Sequence, residues 1–240
     1  MPGLGTIINV IGIVFGGILG LLFGSRLGQR VRDTIMAGCG ISVMFLGIGG
    51  SVAKMLVVED GVLTASGTMM MIVSIALGGL VGGLLDLDGR MERFGVWLRG
   101  RTGNDGDSRF VGGFVSASLT VCIGAMAVVG AIQDGLYGDY TTLMTKAILD
   151  FLIIMIMAAS QGKGCIFAAI PVGVFQGVIT LLSCLIAPLM TPEASGNLSL
   201  VGSVLIFCVG LNLIRDKKIP VANLLPALVF AVGWAFLPWK

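Results

Sequence analysis

Two ionisable residues stand inside an apolar run that should reject both. Asp150 lies between Leu149 and Phe151, near the middle of a long hydrophobic stretch, and Lys146 precedes it by four residues. At helical spacing the two share one face. A carboxylate at mid-bilayer depth is costly, so it must meet a partner or a wet cavity. Thr142 continues the same face toward the start of the run. Two chemistries fit: a buried ion pair that sets helix orientation, or a cation or proton site with Lys146 as a competing internal charge.

A second polar line runs through Gln176, Thr180 and Ser183, spaced four and three apart on another apolar run. Gln176 is expected at a depth similar to Asp150. Pro171, Gly173 and Gly177 loosen that helix, and a loosened helix can expose carbonyls where it lines a cavity. Gln133 and Asp134 close a third run, before a turn rich in glycine and acid. They read either as an outer vestibule or as the polar cap of a helix end. Asn9, Asn212 and Asn223 fall near run ends, where interfacial hydrogen bonding is the expected role.

Other chemistries lack their residues. The chain has no histidine, which removes His zinc ligands, His general bases and His proton relays. Its five cysteines are scattered singly, with no CxxC pair and no metal-ligand spacing, so they read as small buried hydrophobes and not as a disulfide framework. No GxSxG elbow and no intramembrane carboxylate pair is present. The expectation is a protein that is not an enzyme and holds no metal or cofactor. A net charge of +2 gives no reason to invoke nucleic acid.

The elements that must position these side chains are membrane helices. Of 240 residues, 56% are hydrophobic and 12% charged, about half the charge of a soluble domain. Apolar runs of 18 or more residues recur, each long enough to cross about 30 Å of hydrocarbon as a helix. The alternating ten-residue pattern of a β-barrel is absent. The first run is followed, not preceded, by Arg26, Arg30 and Arg32, the wrong polarity for a cleaved signal peptide. Eight spans are predicted, at 5–24, 34–56, 67–85, 110–132, 141–160, 164–189, 199–214 and 220–237, the seventh being short.

The loops test that count. Arg26, Arg30, Arg32, Arg90, Arg93, Arg99, Arg101, Arg109, Lys163, Arg215, Lys217 and Lys218 all fall on one side, twelve of the 15 basic residues. Lys54, Lys146 and Lys240, with Glu59, Asp60, Asp134, Asp139 and Glu193, fall to the other. By the positive-inside rule both termini lie outside. In the inner loop 86–109, Met91, Phe94, Trp97 and Leu98 share a helical face opposite Arg90, Arg93 and Arg99, which predicts a short helix lying on the inner leaflet. Tyr137, Tyr140, Trp234 and Trp239 fall near predicted outer ends, where amphipathic rings prefer the interface.

Thirty-eight glycines point to close helix packing. Gly12, Gly16, Gly20 and Gly24 form a smooth ridge on the first span, available for packing, for a homo-oligomer or for a solute path. Gly78 with Gly82, Gly79 with Gly83, and Gly173 with Gly177 repeat the four-residue spacing. A shift of 161 residues places Gly12 and Gly16 on Gly173 and Gly177, Ser42-Val43 on Ser203-Val204, Gly49 on Gly210 and Lys54 on Arg215. The expected organisation is one all-α transmembrane domain, with repeat units 5–85 and 164–237 in opposite orientation around central helices in 110–160. Inverted repeats with a midplane site are a recurrent transporter plan.

Gly5-Thr6-Ile7-Ile8-Asn9, the stretch from Gly124 through Gln133-Asp134-Gly135 to Lys146 and Asp150, Ile170-Pro171 with Gln176-Gly177, Gly210-Leu211-Asn212-Leu213 and Asn223-Leu224-Leu225-Pro226-Ala227 together resemble the YdfK/YqgA family of bacterial inner-membrane proteins. The resemblance spans essentially the whole chain. It implies a bacterial plasma membrane and transfers no catalytic residue. The expected function is transport of a small ion or polar solute through a polar midplane site. A membrane scaffold or signalling component, assembled through glycine ridges and a basic inner loop, is the alternative.

Overall fold

The computed structural model describes residues 2–24, 28–59, 61–123, 125–215 and 219–238. Arg26, Asp60, Gly124, Lys217, Lys218, Trp239 and Lys240 lie outside the described residues, as do the side chains of Arg32 and Glu59. The first helix, α1 (Leu4–Gly24), is followed by α2 (Gln29–Met55). A small antiparallel hairpin, β1 (Leu56–Glu59) and β2 (Val62–Ala65), leads to α3 (Thr68–Leu84) and α4 (Leu87–Arg101). Next come α5 (Phe110–Cys122), α6 (Ala125–Tyr137) and α7 (Thr141–Gln161). A 3-10 segment over Lys163–Ala168 opens into α8 (Ala169–Leu181) and the single turn α9 (Ser183–Ile186). The chain closes with α10 (Pro192–Ile214), α11 (Val221–Leu224) and α12 (Pro226–Trp234).

Burial is distributed as a bilayer demands. Ile7, Ile11, Phe15 and Leu22 stand exposed along one face of α1, and Ile148, Leu149, Leu152 and Ile156 along α7. Exposed apolar surface on this scale marks contact with lipid or protein, not water. Five helical stretches are long and apolar enough to span, Leu4–Gly24, Asp33–Met55, Thr141–Gln161, Lys163–Leu181 and Pro192–Ile214. The number rises to seven if each of two bent pairs is one span, α3 with α4 at 53° and α5 with Met126–Tyr137 at 62°.

The expected spans are revised in four places. The fourth is interrupted after Cys122 and continues past 132 to Tyr137. The sixth breaks at Leu182, and Pro171 sits in the first turn of α8, where its missing N–H costs nothing. The seventh is not short: Thr191 caps the Ala194 N–H at 3.1 Å, Pro192 takes the first helical position, and α10 runs for 23 residues. The eighth is split between α11 and α12, and Val221–Trp234 is shorter than a full span.

Glycine sets which helices touch. On α1 the ridge faces α7 in parallel, each glycine opposite a residue 135 further along the chain: Gly12 on Ala147, Gly16 on Phe151, Gly20 on Met155, Gly24 on Ala159. A Cβ at Gly16 or Gly20 would collide with the backbone oxygen of Phe151 or Met155. The ridge is therefore covered from within, and of the roles open to it packing is the one seen here. Antiparallel seams join α2 to α10, with Gly40 against Gly210 and Gly47 against Phe207, and α3 to α12, with Gly78 against Ala227. Gly177 meets nothing and Gly173 only the Val10 side chain, so the pair equated with Gly12 and Gly16 packs differently.

The helix expected within 86–109 is present as α4. Asp86, the one non-glycine residue with positive φ (50°) among those described, makes the bend into it, and its carboxylate bonds Arg93 at 3.0 Å. Leu98 is buried, Phe94 lies against Phe114 and Trp97, and Trp97 stays exposed. Asn223 accepts the Asp88 N–H at 2.8 Å in the first turn of α4, while Asn212 exchanges two hydrogen bonds with the Ile219 backbone. Both asparagines act at helix ends, as expected. Of the cysteines, all free, Cys39 and Cys165 are buried, Cys122 and Cys208 half-buried, and Cys184 is exposed.

Candidate functional site

Lys146, Asp150, Gln176 and Thr180 are buried between α1, α5, α6, α7 and α8, Ser183 is buried at the start of α9, and Thr142 is half-buried. The Lys146 Nζ donates to Asp150 Oδ2 at 2.5 Å and to the Val121 carbonyl at 2.8 Å. Helix spacing on α7 creates the first contact. The interruption after Cys122 creates the second, because a carbonyl in the last turn of a helix has no intrahelical donor. An ammonium suits that end of α5, where the helix dipole is negative.

Gln176 is fully buried and its Oε1 accepts from Asn9 Nδ2 at 3.3 Å. Asn9 also lies near the Asp150 carboxylate, so it stands between the polar face of α8 and the ion pair on α7. Asn9 was expected at an interface. The structure places it, with no exposed surface, at the centre of the cluster. Its signal in the sequence is faint: Thr6, Asn9 and Ile13 fall on one helical face of α1, and that face is the buried one. Two atoms here have no hydrogen-bond partner, Asn9 Oδ1 and Gln176 Nε2.

Thr180 is buried one turn further along α8 and donates to the Ala131 carbonyl at 3.3 Å, joining α8 to α6. Ser183 lies just past the break at Leu182, against Gly135. Gln133 and Asp134 separate. Gln133 Oε1 accepts from Thr142 Oγ1 at 2.7 Å, tying α6 to the start of α7. Asp134 is fully buried and its Oδ2 accepts the Gly5 N–H at 2.9 Å, in the first turn of α1. A carboxylate there satisfies an orphan donor and the positive end of the dipole. Its Oδ1 and the nearby helix position Thr6 Oγ1 have no partner.

The cluster is closed in both directions. Leu143, Ala131, Ile132 and Ile179 pack together on the side of Asp134, and Ile13, Ile154, Met157 and Val121 belong to the dry core on the other. Of the cavities around it, one of about 470 Å³ is almost wholly apolar, lined by residues such as Phe175, Met190, Leu228 and Val232. It shares Ile179 and the α5 end at Cys122 and Ile123 with the walls of the cluster. Another, about 450 Å³, opens beside Asp107, Arg109 and Lys163. A third, about 250 Å³, is lined by Asp88, Glu92, Ser116 and Asn212.

A bundle of apolar helices with exposed aliphatic faces and a polar interior is a polytopic all-α membrane protein. The family model described as "Protein of unknown function (DUF554)" matches residues 4–236, and the chain belongs to that family. It is 28% identical over 225 residues to the "Uncharacterized membrane protein YdfK" of Bacillus subtilis strain 168, covering 94% of this chain and 92% of that one. It is 30% identical over 233 residues to the "Uncharacterized protein YqgA" of Escherichia coli K12, covering 95% and 94%. No solved structure matches the chain.

Proposed function

We propose that this protein is a transporter or channel for a small polar solute or ion, without enzymatic chemistry, and that Asn9, Lys146, Asp150 and Gln176 form its binding site. One observation carries the reading: two fully buried amides beside a buried ion pair leave Asn9 Oδ1 and Gln176 Nε2 without partners. An unsatisfied buried polar atom costs about 1–3 kcal/mol, and an apolar replacement would avoid it. A cluster kept for stability alone has no use for such atoms; a site that receives a polar guest does. The apolar closure on either side makes this the occluded form, and the breaks after Cys122 and at Leu182 supply the joints through which it opens.

The same reading takes the basic loops as cytoplasmic, sets both termini outside a bacterial inner membrane and lays α4 on the inner leaflet. The parallel pairing of α1 with α7 and the antiparallel pairing of α2 with α10 agree with it. The antiparallel contacts of α2 with α10 and of α3 with α12 also support an inverted repeat of 5–85 and 164–237. The scaffold alternative draws on the tight packing around Asp150 and on the exposed Trp97 and arginines of α4.

The test is flux in proteoliposomes, read by osmotic swelling in urea, glycerol and glycine and by uptake of radioactive sodium and rubidium. Asp150→Asn and an Asn9→Leu/Gln176→Leu double variant are expected to lower flux at least tenfold while remaining folded. Flux of all probes that ignores these changes, or its absence from the wild type, overturns the reading in favour of the scaffold.

A further inference from the structure

The apolar cavity of about 470 Å³ is bounded by three stretches of chain. Pro171, Phe175 and Ile179, at four-residue spacing, give it one face of α8, Leu119 and Ile123 the end of α5, and Val229 the side of α12. Its floor is buried, at Leu119, Ile123 and Ile179. Its rim is not: Phe175 is 37% exposed and Val229 73%. Phe175 borders Val174 and Val178, which are exposed on the same helix. In a membrane protein that surface meets hydrocarbon, so the cavity continues the bilayer interface into the molecule. Water is poorly held there, because it needs about two to four polar partners. Among the described lining side chains Ser118 carries the one hydroxyl, and its Oγ is buried without a hydrogen-bond partner.

Size decides what can enter from the bilayer. A helix is about 10–12 Å across, so a single turn takes about 400–600 Å³ and would fill the space alone. A helix of a partner or of a second copy could therefore seat no more than one turn. A methylene is about as bulky as a water molecule in the liquid, about 30 Å³, so the same space holds about 15 of them in a flexible chain. We propose that this cavity is a lateral binding site for one acyl chain of a bilayer phospholipid, which enters between α8 and α12 and reaches α5. The chain matches the apolar wall, and its ester is an acceptor for the Ser118 hydroxyl. Ile123 follows the break after Cys122, and Ile186, also in the wall, follows the break at Leu182. A seated chain thus lies against both joints of the bundle. The proposal stands whether or not the polar cluster carries a solute.

The experiment reconstitutes the purified full-length protein in phosphatidylcholine vesicles doped with phosphatidylcholine that carries a photoreactive diazirine on one acyl chain. After irradiation, adducts are mapped by peptide mass spectrometry. Lipid around the protein labels the exposed faces, such as Phe15 on α1 and Leu152 on α7. Ser118, Leu119 and Ile123 are buried, so adducts there require a chain inside the cavity. The wild type is expected to give both sets. Val229→Trp at the rim and Val232→Trp just inside it should fold, lose most of the α5 adducts and keep those on Leu152. Labelling confined to the exposed faces overturns the proposal, as do α5 adducts that persist undiminished in both variants. A dimer or a stoichiometric protein partner that shields Val229 and keeps lipid from α5 also overturns it, and assigns the cavity to protein.

Discussion

The two halves of α1 bury opposite kinds of atom. From Gly5 to Asn9 the inward face carries a capped amide, the Thr6 hydroxyl and the Asn9 amide, and the Thr6 Oγ1 and Asn9 Oδ1 lack partners. From Ile13 to Gly24 it carries an isoleucine and glycines pressed onto the carbonyls of α7 and, at Gly17, onto Ile166. The second half has little slack, since a Cβ at Gly16, Gly20 or Gly24 would meet the backbone of α7. The first half is underpaired, and atoms there can change partners at little cost. A rigid seam and an adaptable cluster on one helix form a natural hinge: the seam anchors while the cluster receives.

Breaking the seam should have the largest effect. Gly16→Leu with Gly20→Leu drives two side chains into backbone that cannot yield. Overpacking of about 1–3 kcal/mol at each site would remove much of a typical stability of about 5–15 kcal/mol. The expected result is loss of the monodisperse peak in size exclusion. If this variant stays folded and active, the seam is not the anchor.

Next comes Asp150→Ala, which strands the Lys146 ammonium and should cost about 3–5 kcal/mol in a denaturant titration. The Lys146→Met/Asp150→Leu double variant should recover most of that loss without recovering flux. Recovery of both would make the polar half as structural as the glycine half.

Smaller still is Asp134→Ala, which removes the bond to the Gly5 N–H. A loss of about 1 kcal/mol is expected, read as faster amide exchange confined to the first turn of α1. The smallest effect belongs to Asp139, whose carboxylate accepts the Thr141 N–H at 3.0 Å and is held below the ordinary carboxylate range by Thr141. A depressed folded value means that its contribution is present above the unfolded value and lost as pH falls through the folded one. Amide exchange at Thr141 should therefore quicken only at acid pH, and Asp139→Asn should remove that dependence.

Hydropathy found the helices because the bilayer imposes length and polarity on every one of them. The face shared by Lys146 and Asp150, and that shared by Gln176 and Thr180, were legible because helical spacing is local. The relation between those faces was not. Asn9 looked like an interfacial residue because its position four residues into an apolar run resembles a helix end, and only the neighbourhood of Gln176 shows otherwise. The breaks in the fourth and sixth spans leave no trace in hydropathy because apolar residues continue across them. Hydropathy makes the seventh span look short because Glu193 and Asn197 dilute its start, although Thr191-Pro192-Glu193 carries a helix-start pattern. The glycine ridge announced close packing and could not name its partner, since any smooth helix would satisfy it.

That partner has a consequence for biogenesis. The residues of α7 that cover the ridge lie 135 positions downstream. At about 5–20 residues per second of synthesis, α1 waits about 7–27 s in the bilayer before they emerge. Through that interval its groove is open to any passing small-faced helix, and the nascent chain must be kept from pairing with the wrong one. Slowing elongation between α1 and α7 should therefore lower the yield of folded protein more than the same pause placed after α7.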